Sequence, residues 1–207
     1  MSKSINTLYT ALLIASAGSA FAASSVDLSV QGLITPSACT PALSNGGLYE
    51  MGKIASKDLS ADQPTYLPHH FMQLTVTCDA STLVAIAAKD NRLGSQYQDD
   101  TSEFGLGLIN GDQKLGSLAL RLLNPVADGV TVRAIVSGDS GETWSAVSWV
   151  SPDYITSVAN NAAVAPVPVR ALTADLRVWP IIAPTNGLTL TSEVPIDGSA
   201  TLTVVYL

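Results

Sequence analysis

The last ten residues, Gly198 to Leu207, constrain the fold more than any other stretch. Ala200, Leu202, Val204 and Tyr206 alternate with Ser199, Thr201, Thr203 and Val205. This period of two sets one face of a strand against a core. Chain ends fray unless they are tied down, so a terminal strand this strongly patterned needs a neighbour. Either the chain supplies that neighbour or another protein does.

The opposite end reads as an export signal over residues 1–22. Lys3 gives a positive start, Leu8 to Ala17 form an apolar run, and Ala20-Phe21-Ala22 is a small-x-small cleavage site. The apolar run is too short to span a bilayer. The remainder, residues 23–207, has the size of one domain with its own core. The whole chain carries a formal charge of −7, and removing Lys3 with the leader makes it −8. An acidic chain without a basic run is poorly suited to phosphate backbones, which argues against nucleic-acid binding.

Two cysteines remain, Cys39 and Cys78. In an exported protein such a pair reads as a disulfide, with two free buried thiols as the alternative. Closing a loop of about 40 residues stabilises by roughly 4 kcal/mol on the chain-entropy account.

Between these landmarks the sequence reads as short strands punctuated by turns. Val26, Leu28, Val30, Gly32 and Ile34 alternate with polar residues and Leu33. Thr40 to Pro68 is loop-rich, with room for a short strand over Leu48 to Ile54. Met72, Leu74, Val76 and Cys78 share a strand face, and Leu83 to Ala88 is a second apolar run. Asp90 to Glu103 reads as an acidic surface loop. Phe104 to Ile109 and Leu115 to Leu123 predict a hairpin about Asn110-Gly111. Further strands are expected at Val130 to Val136, Thr143 to Val150, Val167 to Leu172, Leu176 to Ile182 and Leu188 to Leu190. Asn124-Pro125, Ser137-Gly138 and Ala183-Pro184 punctuate them. Asp153 to Ala163 is the best helical candidate and reads as loop or one short turn. About ten short strands predict an all-β, antiparallel sandwich.

Candidate chemistry is sparse. Gly138-Asp139-Ser140-Gly141 matches part of a serine-protease signature, yet the following residues depart from it and only His69 and His70 could serve as base. Turn chemistry explains the run better. Adjacent His69 and His70 point in opposite directions in an extended chain, which suits a loop better than a metal pair. Asp99, Asp100 and Glu103 lack the ligand spacing of an EF-hand loop. Trp144, Trp149 and Trp179 could line a sugar site but fit packing on sheet faces. No catalytic residue, metal site or cofactor is expected, and the chain reads as a non-enzyme.

Taken together, three stretches carry a family resemblance. They are Leu28-Ser-Val-Gln-Gly32-Leu-Ile-Thr-Pro-Ser-Ala-Cys39, Leu74-Thr-Val-Thr-Cys78, and Gly198 to Tyr206-Leu207. The chain resembles a chaperone–usher pilus subunit, a pilin. Leu172-Thr-Ala-Asp-Leu-Arg177 and the closing Asp197-Gly-Ser-Ala-Thr-Leu202 resemble the subgroup described as probable major subunits of β-fimbriae. The resemblance implies an immunoglobulin-like sandwich lacking its last strand, with domain limits 36–207 and a donor extension over residues 23–35. It implies that Val26, Leu28, Val30 and Ile34 enter the groove of another copy, with Gly32 where that groove is shallow. Ala200, Leu202, Val204 and Tyr206 would line the acceptor side. A periplasmic chaperone, an outer-membrane usher and further pilus subunits are the implied partners, and the cell surface is the implied destination. A self-complete secreted or periplasmic binding sandwich is the alternative from another class.

Overall fold

The computed structural model describes residues 38–207 together with Ser29, apart from the side chain of Asp99. Val26, Leu28, Val30, Gly32 and Ile34 lie outside the described residues, as do residues 1–22, where an export signal is expected. The chain is all-β, and among the described residues no helix is long and apolar enough to cross a membrane.

Strand β1 (Cys39–Leu43) begins at the first cysteine, and β2 (Thr65–Tyr66) follows a long irregular segment. Strand β3 (His70–Thr82) buries Met72, Leu74, Val76 and Cys78, as their alternation dictates. Strand β4 (Val84–Asp90) is buried along nearly its whole length. Then come β5 (Phe104–Gly105), β6 (Leu108–Ile109) and β7 (Gln113–Lys114). The β6–β7 hairpin turns at Asn110 and Gly111, both with positive φ, as the Asn-Gly pair predicts.

Strand β8 (Gly116–Ala127) is a long central strand. Asn124-Pro125 does not end it but forms a bulge inside it. Asn124 takes φ 48°, and the pairing register slips opposite Thr173 and Asp175. Strands β9 (Val130–Thr131) and β10 (Arg133–Ser137) follow, then β11 (Trp149–Val150). The expected strand from Thr143 thus shrinks to two residues plus one bridge between Ser145 and Val136. Strand β12 (Ile155–Ala159) stands where a loop or helical turn was expected. The expected strands over 167–172 and 176–182 are one element, β13 (Val169–Ile182), because Thr173-Ala174-Asp175 continues the alternation with Ala174 buried. The last strand, β14, covers Ala200–Tyr206.

The strands form two principal sheets. One runs β1-β3-β13-β8-β11, with β2 on β13 and β5 and β9 on β8. The other runs β10-β12-β4-β14. All pairings are antiparallel. The sheets share a core of Leu74, Val76 and Leu176 from the first and Ile86, Ala134 and Val158 from the second. The cysteines pair as the sequence suggests. Cys39 faces Cys78 across β1 and β3, and a disulfide joins them.

Two expected strands are absent, and both segments cover a second apolar cluster instead. Gly47, just before residues 48–54, and Gly52 within them take φ 81° and 67°, which breaks an extended run. Leu188 and Leu190 follow a turn at Thr185–Gly187. Met51, Ile54, Leu188 and Leu190 pack on Leu67, Leu106, Ile109, Leu115 and Ile182.

Candidate functional site

Strand β14 pairs with β4 along one edge, from Ala200 opposite Asp90 to Tyr206 opposite Val84. Among the described residues nothing pairs with its other edge. Strand β1 likewise pairs only with β3. Among the described residues the sandwich is therefore open along the side where these two edges face each other.

Inside this opening lies an apolar cavity of about 1150 Å³. Its floor is built from Met72, Leu120, Leu176, Val178 and Ile182 of the larger sheet. Gly198, Ala200 and Leu202 form the wall on the β14 side. Leu43, Tyr49, Met51 and Ile54 stand opposite, with Leu190, Val194 and Ile196 at the far lip. The alternation of β14 explains its wall, since every second side chain turns inward.

The four residues singled out on the last strand have different places. Ala200 and Leu202 line the cavity and pack on the main core. Val204 packs on the main core without lining the cavity. Tyr206 sits at the closed end, where its hydroxyl accepts a hydrogen bond from the Cys39 amide at 3.0 Å. That bond ties the edge of one sheet to the edge of the other beside the disulfide. The next amide, Leu207 N, donates to Leu83 O at 3.1 Å.

The other end of β14 is pinned by polar contacts. The Arg92 guanidinium forks onto Asp197, with Nε 3.0 Å from Oδ2 and Nη2 2.7 Å from Oδ1. This bond, with the charge behind it, holds the Asp197 carboxyl below its ordinary range and raises the Arg92 pKa. The Asn91 amide donates to Ser199 Oγ and Thr201 Oγ1, each at 3.0 Å. Across the lips of the cavity, Lys53 Nζ reaches Glu193 Oε1 at 2.6 Å, with both side chains well exposed.

Sequence reasoning missed both lips and the Arg92–Asp197 fork. Leu48, Tyr49, Met51, Ile54 and Leu59 were visible as apolar residues in a turn-rich segment. They have no fixed period, so the segment read as loop with room for one short strand over Leu48 to Ile54 and gave no hint of a wall.

None of the stretches weighed for chemistry lines the cavity, although His70 stacks on its wall residue Tyr49 and Trp144 bonds to the Gly138–Gly141 run. Asp139 accepts from Ser137 Oγ at 2.6 Å and from Thr143 N at 2.9 Å, bonds that hold its pKa far below the ordinary value. Ser140 has φ 61°, so the Gly138–Gly141 run is a turn. His70 stacks on Tyr49, while His69 lies edge-on to Phe71, so the two rings diverge. Asp100 accepts from the Ser102 amide and hydroxyl. Burial raises the Glu103 pKa against a hydrogen bond from Ser117. Trp144 donates to Gly141 O and Trp179 to Leu67 O, each at 3.0 Å. Trp149 lies under Arg121. Among the described residues no three His, Cys, Asp or Glu side chains gather as a metal site.

A family described as a protein of unknown function (DUF1120) matches residues 28–103. The chain is also similar to the uncharacterized protein YhcF of Escherichia coli strain K12. The two are 27% identical over 232 aligned residues, covering 92% of this chain and 97% of that protein. Protein GltF of the same strain is 28% identical over 249 aligned residues, covering 95% of each.

Proposed function

We propose that the chain is a structural subunit of a surface fibre whose copies join by strand exchange. The observation that carries this reading is the open edge of β14 beside an apolar cavity of about 1150 Å³. A cleft whose wall is a strand edge rewards an occupant twice. Added backbone pairs with the free amides and carbonyls of β14, and alternate side chains fill the cavity.

The N-terminal extension has the right chemistry for that occupant. Val26, Leu28, Val30 and Ile34 present apolar groups at every second position, and Gly32 supplies a place without a side chain. Supplied by a second copy, this segment links subunits in series. An unpaired edge is also an aggregation hazard, so the open subunit needs a protecting partner before assembly. A periplasmic chaperone meets that need, and an outer-membrane usher then passes the subunit to the growing fibre. The disulfide is compatible with such an exported path.

The test separates the extension from the sandwich. A chain starting at Thr35 is produced alone, then mixed with a peptide of Ser25 to Ile34 or with its scrambled version. The expected result is aggregation or a low melting temperature, relieved by the native peptide only. A chain from Thr35 that stays monomeric and melts identically with either peptide would sink the proposal.

A further inference from the structure

The outward face of the larger sheet carries a row of side chains that strand exchange does not use. Pairing register aligns Phe71 of β3, Arg177 of β13, Arg121 of β8 and Trp149 of β11. These strands are neighbours in the sheet. At about 4.8 Å per strand the row spans roughly 14 Å. Phe71 and Trp149 are exposed, and the two arginines between them are half-buried. The Arg121 guanidinium lies 5.8 Å from the Trp149 ring centre, and that of Arg177 lies 5.0 Å from the Trp179 ring centre. The exposed Tyr66 ring extends the patch, 5.3 Å from Trp179.

Like charges directly opposite each other on adjacent strands repel. Arg177 and Arg121 are such a pair, in a chain where 17 acids outnumber ten bases. Carboxylates were plentiful, yet neither guanidinium has one within 4.0 Å among the described residues. The next outward acid along β13, Asp175, is engaged by the Asn124 amide at 2.9 Å. Arg177 Nε is shut off from solvent without an acceptor, a state it shares with Arg133 Nε on the other sheet, so a ligand would meet Arg177 through its Nη atoms. Buried donors without partners are rare in folded chains. The rings offer each cation a π face but no acceptor.

We propose that this face is a docking surface for an acidic saccharide, a polymer whose sugars bear carboxylates. Each guanidinium fork matches a carboxylate in a planar, two-point contact. The exposed rings of Trp149, Phe71 and Tyr66 offer flat apolar surfaces to the C–H faces of sugar rings. Strands β3, β13 and β8 are each paired on both edges. An acidic peptide therefore cannot join as a strand beside either arginine, and at those positions must bind through side chains alone. A peptide would also have to order a flexible chain, whereas a sugar ring is rigid before it binds. The surface lies on the solvent side of the sheet, so its occupancy does not depend on whether the cavity holds a donor strand.

The test uses the full chain and polygalacturonate, with the methyl-esterified polymer as a neutral control and polyglutamate as an acidic peptide. Affinity electrophoresis at low and moderate salt reads the binding. Polygalacturonate should retard the chain, less so as salt rises. The esterified polymer and polyglutamate should bind at least tenfold more weakly. Arg121→Gln combined with Arg177→Gln should lose at least tenfold in affinity while melting like the parent. If that pair fails to fold, Arg121→Lys with Arg177→Lys keeps the charge and removes the forks, and should lose severalfold. Equal retardation by the esterified polymer would overturn the proposal, as would arginine variants with full affinity. Polyglutamate binding as tightly as polygalacturonate would assign the face to an acidic protein and overturn the saccharide class.

Discussion

Leu202 stands where the open sandwich and a filled one should differ most. In the described chain it is half-buried, packing on the main core on one side and facing the cavity on the other. Full burial of a leucine side chain stabilises by about 1.5–3 kcal/mol, so Leu202→Ala should cost the open chain about 1 kcal/mol. With a donor strand seated, the same truncation leaves a hole in a packed core and should cost about 3 kcal/mol. The difference of about 2 kcal/mol is about 30-fold in affinity for the donor peptide Ser25 to Ile34. In a chain of this size, 1 kcal/mol moves the melting temperature by about 2–4 °C. The melting temperature should therefore fall by about 2–4 °C without peptide and by about 6–12 °C at saturation. Val158 is 2% exposed in the main core and does not line the cavity, so Val158→Ala should cost the same in both states. Equal losses for Leu202→Ala with and without peptide, together with unchanged peptide affinity, would refute the idea that this wall receives the donor.

Three further changes test the frame around the cavity. Tyr206→Phe removes the acceptor of the Cys39 amide and should cost about 1 kcal/mol in urea unfolding, with no loss counting against the tie between the two sheet edges. A Cβ on Gly116 would stand 2.0 Å from the backbone oxygen of Ile181, which cannot rotate away. Gly116→Ala should therefore cost about 2–3 kcal/mol, and a neutral result would show that the β8–β13 approach is looser than described. Glu103 has its pKa raised above 4.5, first by burial. Its folded form thus holds the proton more tightly than the unfolded form, a contribution present below pH 4.5 and lost as pH rises through the folded value. Glu103→Gln should be more stable than the parent at pH 7, with the gap closing below about pH 4. An unchanged gap across that range would be the wrong outcome.

How legible each part was in the sequence follows from how its side chains are satisfied. Strand β14 has the bounds its alternation implies, because one face meets a core and the other meets water or an edge. Strand β12 was hidden because Thr156 and Ser157 are buried yet polar. Their hydroxyls donate to Trp149 O at 2.8 Å and Val84 O at 2.6 Å, which lets polar residues into the core and erases the alternation. The bulge at Asn124-Pro125 read as a stop, since a turn signal does not reveal that pairing resumes beyond it. The arginine–aromatic row could not be read at all. Phe71, Arg121, Trp149 and Arg177 are far apart in sequence, and only strand register brings them into line.

The frame also bears on how a strand could enter the cavity. At the Tyr206 end the tyrosine hydroxyl binds the two sheet edges, beside the Cys39–Cys78 bridge that fastens β1 to β3 within the larger sheet. At the Ala200 end the Arg92–Asp197 fork and the Asn91 amide fix the chain leading into β14. Between these anchors, the contact across the lips is Lys53 with Glu193, a pair with side chains 87% and 86% exposed. Such a surface pair contributes about 0–1 kcal/mol and weakens with salt. The polar tie across the lips is therefore weak, but Met51, Ile54, Leu190, Val194 and Ile196 of the lips also pack on the second apolar cluster. An incoming strand must offset its own ordering and any of that packing it displaces, and its apolar pattern is what can do so.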